Sequence, residues 1–457
     1  MDGYHAWMLI AASLVLLMTA PGLALFYGGM SRSKSVLNMM MMSFGALGIV
    51  GVIYVLWGWN MSYGDSYPDA NGAVGKEIGQ FFANPFHNFG ISDLDPANYI
   101  FVAFQLTFAV ITAALISGAI ADRVKFSAWM AFVPIWVTLS YFPMAHMVWG
   151  GGFLSHSADG LSAMIFGTIG EGADKVAEIA PIDYAGGTVV HINAGIAGLI
   201  LALVVGRRLG FGKTPMKPHN LPLTMIGAGL LWFGWFGFNV GSIVFASDDP
   251  TEMYNQFVSE TGLVWLNTTV ATCAAMLGWL LLEKIRDGKA TSLGAASGIV
   301  AGLVAITPAC GALSPVGSII LGLVAGMACA MAVGLKYRFG FDDSLDVIGV
   351  HLVGGLVGTV GIGFLATTGG LFYGDGAKVL VVQIVVALFA MIWSAIATLI
   401  VALIIKAAIG WRIDEEAEVE GIDFVEHGES GYDLAGTSAA RRSSILTKDT
   451  VSEGVSA

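Results

Sequence analysis

The stretch DYAGGTVVHINAGIAGLI, residues 183–200, places a histidine inside a run of small and branched apolar residues. Asp183 opens the stretch, and His191 stands where a lipid-embedded helix would ordinarily carry another valine. A second stretch, DSLDVIGVHLVGGLVGTVGIG from residue 343, repeats the arrangement around His351. In both stretches an aspartate precedes the histidine by eight residues, and glycines follow it at four and seven residues. The pattern predicts two related helices, each carrying one ionisable ring.

The composition surrounding these stretches is that of a membrane protein. Of 457 residues, 56% are hydrophobic and only 12% are charged, whereas soluble domains carry roughly a quarter charged residues. Apolar runs of about 20 residues, the length of a helix that crosses a bilayer, recur along the chain. Glycine occupies 61 positions, which suits close packing of helices in lipid. We therefore predict an all-α integral membrane protein.

Eleven apolar segments of spanning length are predicted. They lie at about 7–29, 35–59, 98–121, 128–150, 186–206, 221–246, 261–283, 292–312, 315–335, 347–366 and 378–408. Together they define a transmembrane domain over residues 1–408, followed by a tail at 409–457.

The distribution of basic residues predicts the orientation, because Lys and Arg concentrate in cytoplasmic loops. Even-numbered connections contain only Lys76, Lys175 and Lys378. Odd-numbered connections contain Arg32, Lys34, Arg123, Lys125, Arg207, Arg208, Lys213, Lys217, Lys284, Arg286, Lys289, Lys336 and Arg338. We expect the N-terminus outside and the tail in the cytoplasm.

The tail is predicted to have two parts. Its first half is acidic but keeps apolar residues that can dock against cytoplasmic loops: Ile413, Ile422, Phe424 and Tyr432. Its last 20 residues or so are polar and rich in Ser and Thr, a composition typical of disorder.

The two histidine stretches also predict an internal symmetry. His191 falls in the fifth segment and His351 in the tenth, so the two cross the membrane in opposite senses. This is the pattern of an inverted repeat, with helices 1–5 and 6–10 as the two copies and helix 11 appended, and such folds bind substrates near the bilayer midplane. A single histidine in a membrane helix can be a packing residue. Two at matched positions favour a transport pathway, because ionisable groups are costly at that depth.

Several further stretches carry a resemblance to a known family. They are GLALFYGGM (22–30), FQLTFAVITAALISGAIADR (104–123), HMVWGGG (146–152), DYAGGTVVHIN (183–193), GFGKTPMKPHNLP (210–222), WFGWFGFNVGS (232–242), AGLVAITPACG (301–311) and EEAEVEGIDFVEHGESGY (415–432). In this order they closely resemble the ammonium transporter family, the Amt/Mep/Rh group. The resemblance implies a homotrimer in the cytoplasmic membrane with eleven helices and one pore per subunit. It also implies ammonium or ammonia as substrate, methylammonium as a further candidate, and a PII-type regulatory protein as a partner of the tail.

The resemblance assigns roles to individual positions. Trp149, Phe108 and Ser242 match an outer site that recruits ammonium, and Trp149 favours the Amt side of the family over the Rh side. Phe108 and Phe238 match a stacked pair of rings that closes the pore, with Phe104 beside them. His191 and His351 match the family's twin histidines. The supporting positions are Asp183, Thr307, Asp343 and Asp346.

Elementary energetics explains why such residues suit this substrate. Burying an unpaired ion costs on the order of 20 kcal/mol in the idealised limit, whereas a neutral polar molecule loses only about 2–7 kcal/mol. A narrow apolar pore therefore rejects ammonium and passes ammonia once the proton is removed. Asp183 either takes that proton or caps the start of its helix, and the sequence leaves both roles open.

Two alternatives to uptake of ammonium remain at this stage. One is an ammonium sensor or signalling scaffold that acts through the tail, and the other is a passive ammonia gas channel. The sequence contains no nucleotide-binding loop or catalytic triad, so we do not expect an enzyme, a cofactor or a nucleic-acid partner. The cysteines, at positions 273, 310 and 329, lack metal-ligand spacing, and no metal site is predicted.

Overall fold

A computed structural model describes residues 2–64 and 78–432 as a bundle of long apolar helices. Ten of the described helices are long and apolar enough to cross a membrane, and a shorter one, of 15 residues, lies eighth in the order. In chain order they are α1 Gly3–Met30, α2 Val36–Tyr63, α3 Pro96–Ile120, α4 Phe126–Val148, α5 Gly187–Val205, α6 Leu221–Val240, α7 Pro250–Asp287, α8 Ser292–Ile306, α9 Pro315–Phe339, α10 Ile348–Leu365 and α11 Lys378–Ala408. Each overlaps one predicted segment. The count of eleven crossings stays a prediction, because α8 is shorter than a typical span.

Two helices end earlier than hydropathy predicted. The predicted segment 221–246 stops as helix α6 at Val240, so Ser242 lies just beyond the helix end. The predicted segment 292–312 stops as helix α8 at Ile306, two residues before Pro308, whose missing N–H and ring disfavour a continued helix. In both places apolar residues continue past the helix, which is why hydropathy misses the end.

Helix α7 is longer than predicted, with 38 residues against the segment 261–283. Its first turn is fixed by Asp249, whose side chain accepts hydrogen bonds from the backbone N–H groups of Thr251 (2.9 Å) and Glu252 (3.0 Å). The residues that follow this cap for almost three turns mix polar and apolar side chains. Hydropathy cannot detect such an extension, although the capping residue predicts where it begins.

The bundle has a buried centre and an apolar outer surface. In α3 and α5, 78% of the most apolar stretch is buried, compared with 33% in α11. The exposed side chains of α11 are large and apolar, as in Leu388, Ile392 and Ile396. An apolar surface of this kind suits lipid, whereas the buried faces of helices such as α3 and α5 are placed where a pore could run.

Within the described residues, the connections contain short elements. Between α4 and α5 a helix at Leu161–Phe166 precedes two antiparallel strands, β1 Thr168–Ile169 and β2 Val176–Ala177. Short 3₁₀ turns in the connections lie at Phe89–Ile91, Gly172–Asp174 and Leu371–Tyr373.

The first half of the tail is docked, as two short helices at Glu415–Glu420 and Ile422–His427. Ile413 and Ile422 are buried, and the Tyr432 hydroxyl lies 2.8 Å from His219 Nε2. The prediction that Phe424 docks is wrong, because 59% of this residue is exposed. The predicted disorder of the distal tail concerns residues outside the described part of the chain.

Candidate functional site

A vestibule of about 750 Å³ opens at one end of the bundle. Trp149, Asp183 and Ser242 contribute to its wall. The Trp149 indole Nε1 donates a hydrogen bond to the Asp183 carbonyl (2.9 Å), which fixes the ring orientation. The Ser242 hydroxyl donates to the Phe238 carbonyl (2.8 Å) and therefore keeps its lone pairs as acceptors.

A pair of stacked aromatic rings lies beyond the vestibule. The rings of Phe108 in α3 and Phe238 in α6 are nearly parallel, at 12°, with centroids 4.0 Å apart. Phe104, one turn before Phe108, packs against it at 4.8 Å, and the Trp149 ring meets Phe108 edge-on at 6.1 Å. Phe104, Phe108 and Phe238 are completely buried. The predicted recruitment and gating residues thus form one contiguous aromatic cluster.

The two histidines meet on the far side of the rings. His191 Nδ1 and His351 Nδ1 are 3.3 Å apart, and the imidazole planes are inclined by 18°. Because one nitrogen of such a pair must donate and the other accept, a single proton lies between the rings. Within the described part of the chain, His191 Nε2 is buried without a hydrogen-bond partner. A buried nitrogen without a partner can form a hydrogen bond with a small polar molecule.

A narrow cavity of about 10 Å³ touches both imidazoles, enough for about one water-sized molecule. Apart from the histidines its lining is hydrophobic: Met18, Leu23, Phe26, Ile111, Leu115, Val190, Leu231, Trp235, Phe238 and Val300. Since Phe238 belongs to both the ring stack and this lining, the rings separate the vestibule from the histidine pair.

Trp235 was not predicted as a site residue. Its ring stacks on His191 at 5.5 Å and 16°, and its Nε1 donates to the Thr307 hydroxyl (2.8 Å). Thr307 directly follows the last residue of α8 and fixes the orientation of the Trp235 ring through this bond; its supporting role in the site stays a prediction. A signal was present in the sequence, because Trp235 lies one helical turn before Phe238 in the stretch WFGWFGFNVGS.

Asp183 caps the turn that begins α5. Its carboxylate accepts backbone N–H bonds from Gly186 (2.8 Å), Gly187 (2.6 Å) and Thr188 (2.8 Å), and a further bond from the Thr188 hydroxyl. Burial raises the pKa of the Asp183 carboxyl above its ordinary value, while these hydrogen bonds favour the ionised form. Both oxygens are thus engaged by the protein itself.

Asp343 repeats this geometry at the start of α10. Its carboxylate accepts N–H bonds from Val347 (3.0 Å) and Ile348 (2.8 Å). Lys336 bonds the Asp343 carbonyl (2.8 Å) and forms a salt bridge with Asp346 (2.7 Å). Burial raises the pKa of Asp343 to about 6, with Lys336 opposing the shift. The spacing of aspartate and histidine therefore reflects a shared local structure, in which the acid caps a π-helical turn that carries the histidine.

A sequence model described as "Ammonium Transporter Family" matches residues 6–432. The chain belongs to this family. It is 49% identical to an ammonium transporter of Mycobacterium tuberculosis, over 95% of this chain and 91% of that protein. It is 44% identical to an ammonium transporter of Aquifex aeolicus, over 94% of each.

Solved structures agree with this membership. A protein described as "Sensor Amt Protein" superimposes with a TM-score of 0.78 at 28% identity, over 93% of this chain and 98% of that one. Mep2 of Candida albicans gives 0.77 at 29% identity, over 95% and 93%. The family resemblance inferred from sequence is thus confirmed, and the chain is an ammonium transporter with multiple apolar membrane-spanning helices.

Proposed function

We propose that the chain takes up ammonium by transferring its proton to water in the open vestibule and conducting ammonia past the ring stack to the histidine pair. The observation that carries this proposal is the His191–His351 contact inside a narrow apolar cavity directly behind Phe238. A buried pair of this kind has no evident structural purpose in an apolar wall, and polar groups at such depth are costly unless they serve a pathway.

Recruitment requires weak, selective binding of a cation. The faces of Trp149 and Phe108 supply cation–π attraction of about 0.5–2 kcal/mol each. The free lone pairs of Ser242 accept an N–H bond, which ammonium can donate and an alkali cation cannot. These three residues thus favour ammonium over ions of similar size.

Passage beyond the rings requires a neutral molecule. The stack of Phe108 on Phe238 leaves no polar partner for a charge, and the idealised cost of burying an ion is on the order of 20 kcal/mol. Ammonia loses far less, about 2–7 kcal/mol. It then meets the unpartnered Nε2 of His191, and the shared proton between the rings offers a route for proton relay.

The test is ammonium uptake and ammonium-dependent current in proteoliposomes carrying His191→Ala or His351→Ala. We expect at least about a tenfold loss of saturable uptake, while His5→Ala, at an exposed histidine, leaves uptake unchanged. Saturable uptake and ion discrimination equal to the parent in both variants would refute the proposal. Current in the parent protein excludes a purely passive ammonia gas channel.

The oligomeric state and the membrane topology are also part of this proposal. The chain forms a homotrimer in the cytoplasmic membrane, with eleven crossings, inverted copies in helices 1–5 and 6–10, the N-terminus outside and the tail inside. The shared capping geometry of Asp183 and Asp343 supports the repeat. The division into a transmembrane domain (1–408) and a tail (409–457) and the carriage of methylammonium belong to the proposal as well.

A second candidate function is ammonium sensing through the tail, with a PII-type protein as reader. It is favoured by the docked position of the tail and by the likeness to the protein described as "Sensor Amt Protein". Deletion of residues 412–457 separates the two: loss of a nitrogen response with uptake intact favours the sensor, and loss of uptake favours a transport role.

A further inference from the structure

A cavity of about 280 Å³ lies on the face of the bundle that carries the tail, and it shares no lining residue with the cavity beside the histidines. It is enclosed by the loop after α1, the loop before α6 and the docked tail. Its lining consists of Arg32, Ser33, Lys34, Lys217, His219, Glu418, Val419 and Gly421. Three of these residues carry a permanent positive charge, and only one carries a carboxylate.

The single carboxylate does not neutralise the cavity. Glu418 is buried, and its two oxygens are occupied by the backbone N–H of Leu209 (2.6 Å) and by Arg412 Nη2 (2.7 Å). Its charge is thus balanced by Arg412, and it compensates neither Lys34 nor Lys217.

The basic side chains of the cavity, Arg32, Lys34 and Lys217, keep N–H donors that no group in the described part of the chain uses. Arg32 uses Nε for the Asp122 carboxylate (2.9 Å) and Nη2 for the Asp122 carbonyl (3.4 Å), which leaves Nη1 for a ligand. Lys34 and Lys217 form no salt bridge with any carboxylate in residues 2–64 or 78–432. A concave surface with two unpaired lysines and an arginine that keeps a free donor attracts anions.

The docked tail forms one wall of the cavity. The Asp423 N–H donates to the Lys34 carbonyl (3.1 Å), and the backbone of Gly421 lies so close that a Cβ there would come within 2.6 Å of Lys34 Cβ. On the other side, His219 donates from Nδ1 to the Ser31 carbonyl (2.9 Å), and its Nε2 meets the Tyr432 hydroxyl (2.8 Å). The cavity therefore exists only while the tail is docked.

We propose that this cavity binds the phosphate group of a phosphate ester, and that its occupancy stabilises the docked tail. Arg32 supplies a guanidinium, which matches phosphate geometry, and Lys34 and Lys217 supply point charges. The volume of about 280 Å³ is far larger than that of the cavity beside the histidines, about 10 Å³, which holds about one water-sized molecule, so a small ester fits as well as a lone phosphate. Because the ligand binds only the docked form, mass action shifts the tail toward docking. The proposal does not depend on the transport mechanism.

The binding test uses the full chain in detergent, titrated calorimetrically with glycerol phosphate as the soluble probe. The same chain in nanodiscs made with and without phosphatidic acid tests a lipid headgroup as the source. The test variant is Lys34→Ala/Lys217→Ala, and the matched control is Lys213→Ala, an exposed lysine of the same loop as Lys217. We expect the double variant to bind at least about tenfold more weakly and the control to bind as the parent does.

The coupling test is hydrogen exchange at the backbone of residues 415–428. Ligand should slow exchange there in the parent and in Lys213→Ala, and leave it unchanged in the double variant. A single variant, Lys217→Gln, provides a milder change should the double variant misfold. Slower exchange with glycerol phosphate supports a soluble ester, and slower exchange with phosphatidic acid alone supports a lipid headgroup. Binding that the double variant retains in full, or absence of binding to either probe, overturns the proposal.

Discussion

The two histidine segments share a local design but differ in their charged surroundings. Asp183 and Asp343 each accept the first N–H groups of a π-helical turn that carries a histidine. Asp183 borders an open vestibule, and its carboxylate is held by hydrogen bonds alone. Asp343 lies in a closed network with Lys336 and Asp346. The difference teaches that one capping motif can border an open vestibule at one end and join a network with a lysine at the other.

The largest expected effect comes from removing that cation. Lys336→Met leaves Asp346 without its salt-bridge partner and the Asp343 carbonyl without its donor. Breaking one side of a fully buried pair costs about 3–5 kcal/mol; the Asp346 side chain is 22% exposed, so we expect a smaller but clear fall in the unfolding temperature of the purified protein. Lys289→Met, at an exposed position, is the control. Recovery in Lys336→Met/Asp346→Asn would attribute the loss to the unpaired charge, and an unchanged unfolding temperature in Lys336→Met would contradict the network.

The second prediction concerns pH at the same segment. The pKa of Asp343 is raised from 3.8 to about 6 because burial disfavours its ionised form. The native state then holds a proton that the unfolded chain releases, so the Asp343 contribution to stability falls as pH rises from about 4 to about 6 and is constant above. The total change is on the order of 3 kcal/mol. Unfolding temperatures measured across this range should fall less steeply in Asp343→Asn than in the parent; equal slopes would count against the assignment.

The segment that begins with Asp183 allows the capping role and the proton-accepting role of this residue to be separated. Asp183→Ala removes an acceptor of several helix N–H bonds and should cost about 1–3 kcal/mol. Asp183→Asn keeps one oxygen acceptor. If capping is its main role, as the geometry favours, the Asn variant will lie between parent and Ala in both unfolding temperature and uptake rate. An Asn variant as inactive as Ala but as stable as the parent would instead identify Asp183 as the proton acceptor.

The smallest effect is expected at Trp235, whose ring stacks on His191. Trp235→Phe retains the ring but loses the bond to Thr307, worth about 1 kcal/mol. Uptake should change by about fivefold or less, with Thr307→Val giving a similar change. A complete loss of uptake in Trp235→Phe would mean that the indole N–H acts on the substrate directly.

The parts of this molecule that could be predicted from sequence are those that depend on the order of neighbouring residues. Hydropathy located the helices, and the spacing of aspartate, histidine and glycine located the two segments. Contacts between distant residues had no such pattern. Trp235 and Thr307 are 72 positions apart, and the sequence around each residue does not predict their hydrogen bond. The ends of α6 and α8 were predicted too late in the sequence for a related reason: a hydropathy scale does not distinguish an apolar loop from an apolar helix.

The tail provides helix caps as well as a wall for the basic cavity. Asp423 accepts the N–H groups of Leu37 (3.1 Å) and Asn38 (2.8 Å) at the start of α2, and Glu426 accepts that of Phe126 (2.8 Å) at the start of α4. These acceptors are synthesised 385 residues after Asn38 and 300 residues after Phe126. At roughly 5–20 residues per second, α2 waits about 20–80 s on the ribosome with its end open. The starts of α2 and α4 are thus closed by a segment that is translated only after α11, so these two helices gain their caps late in synthesis.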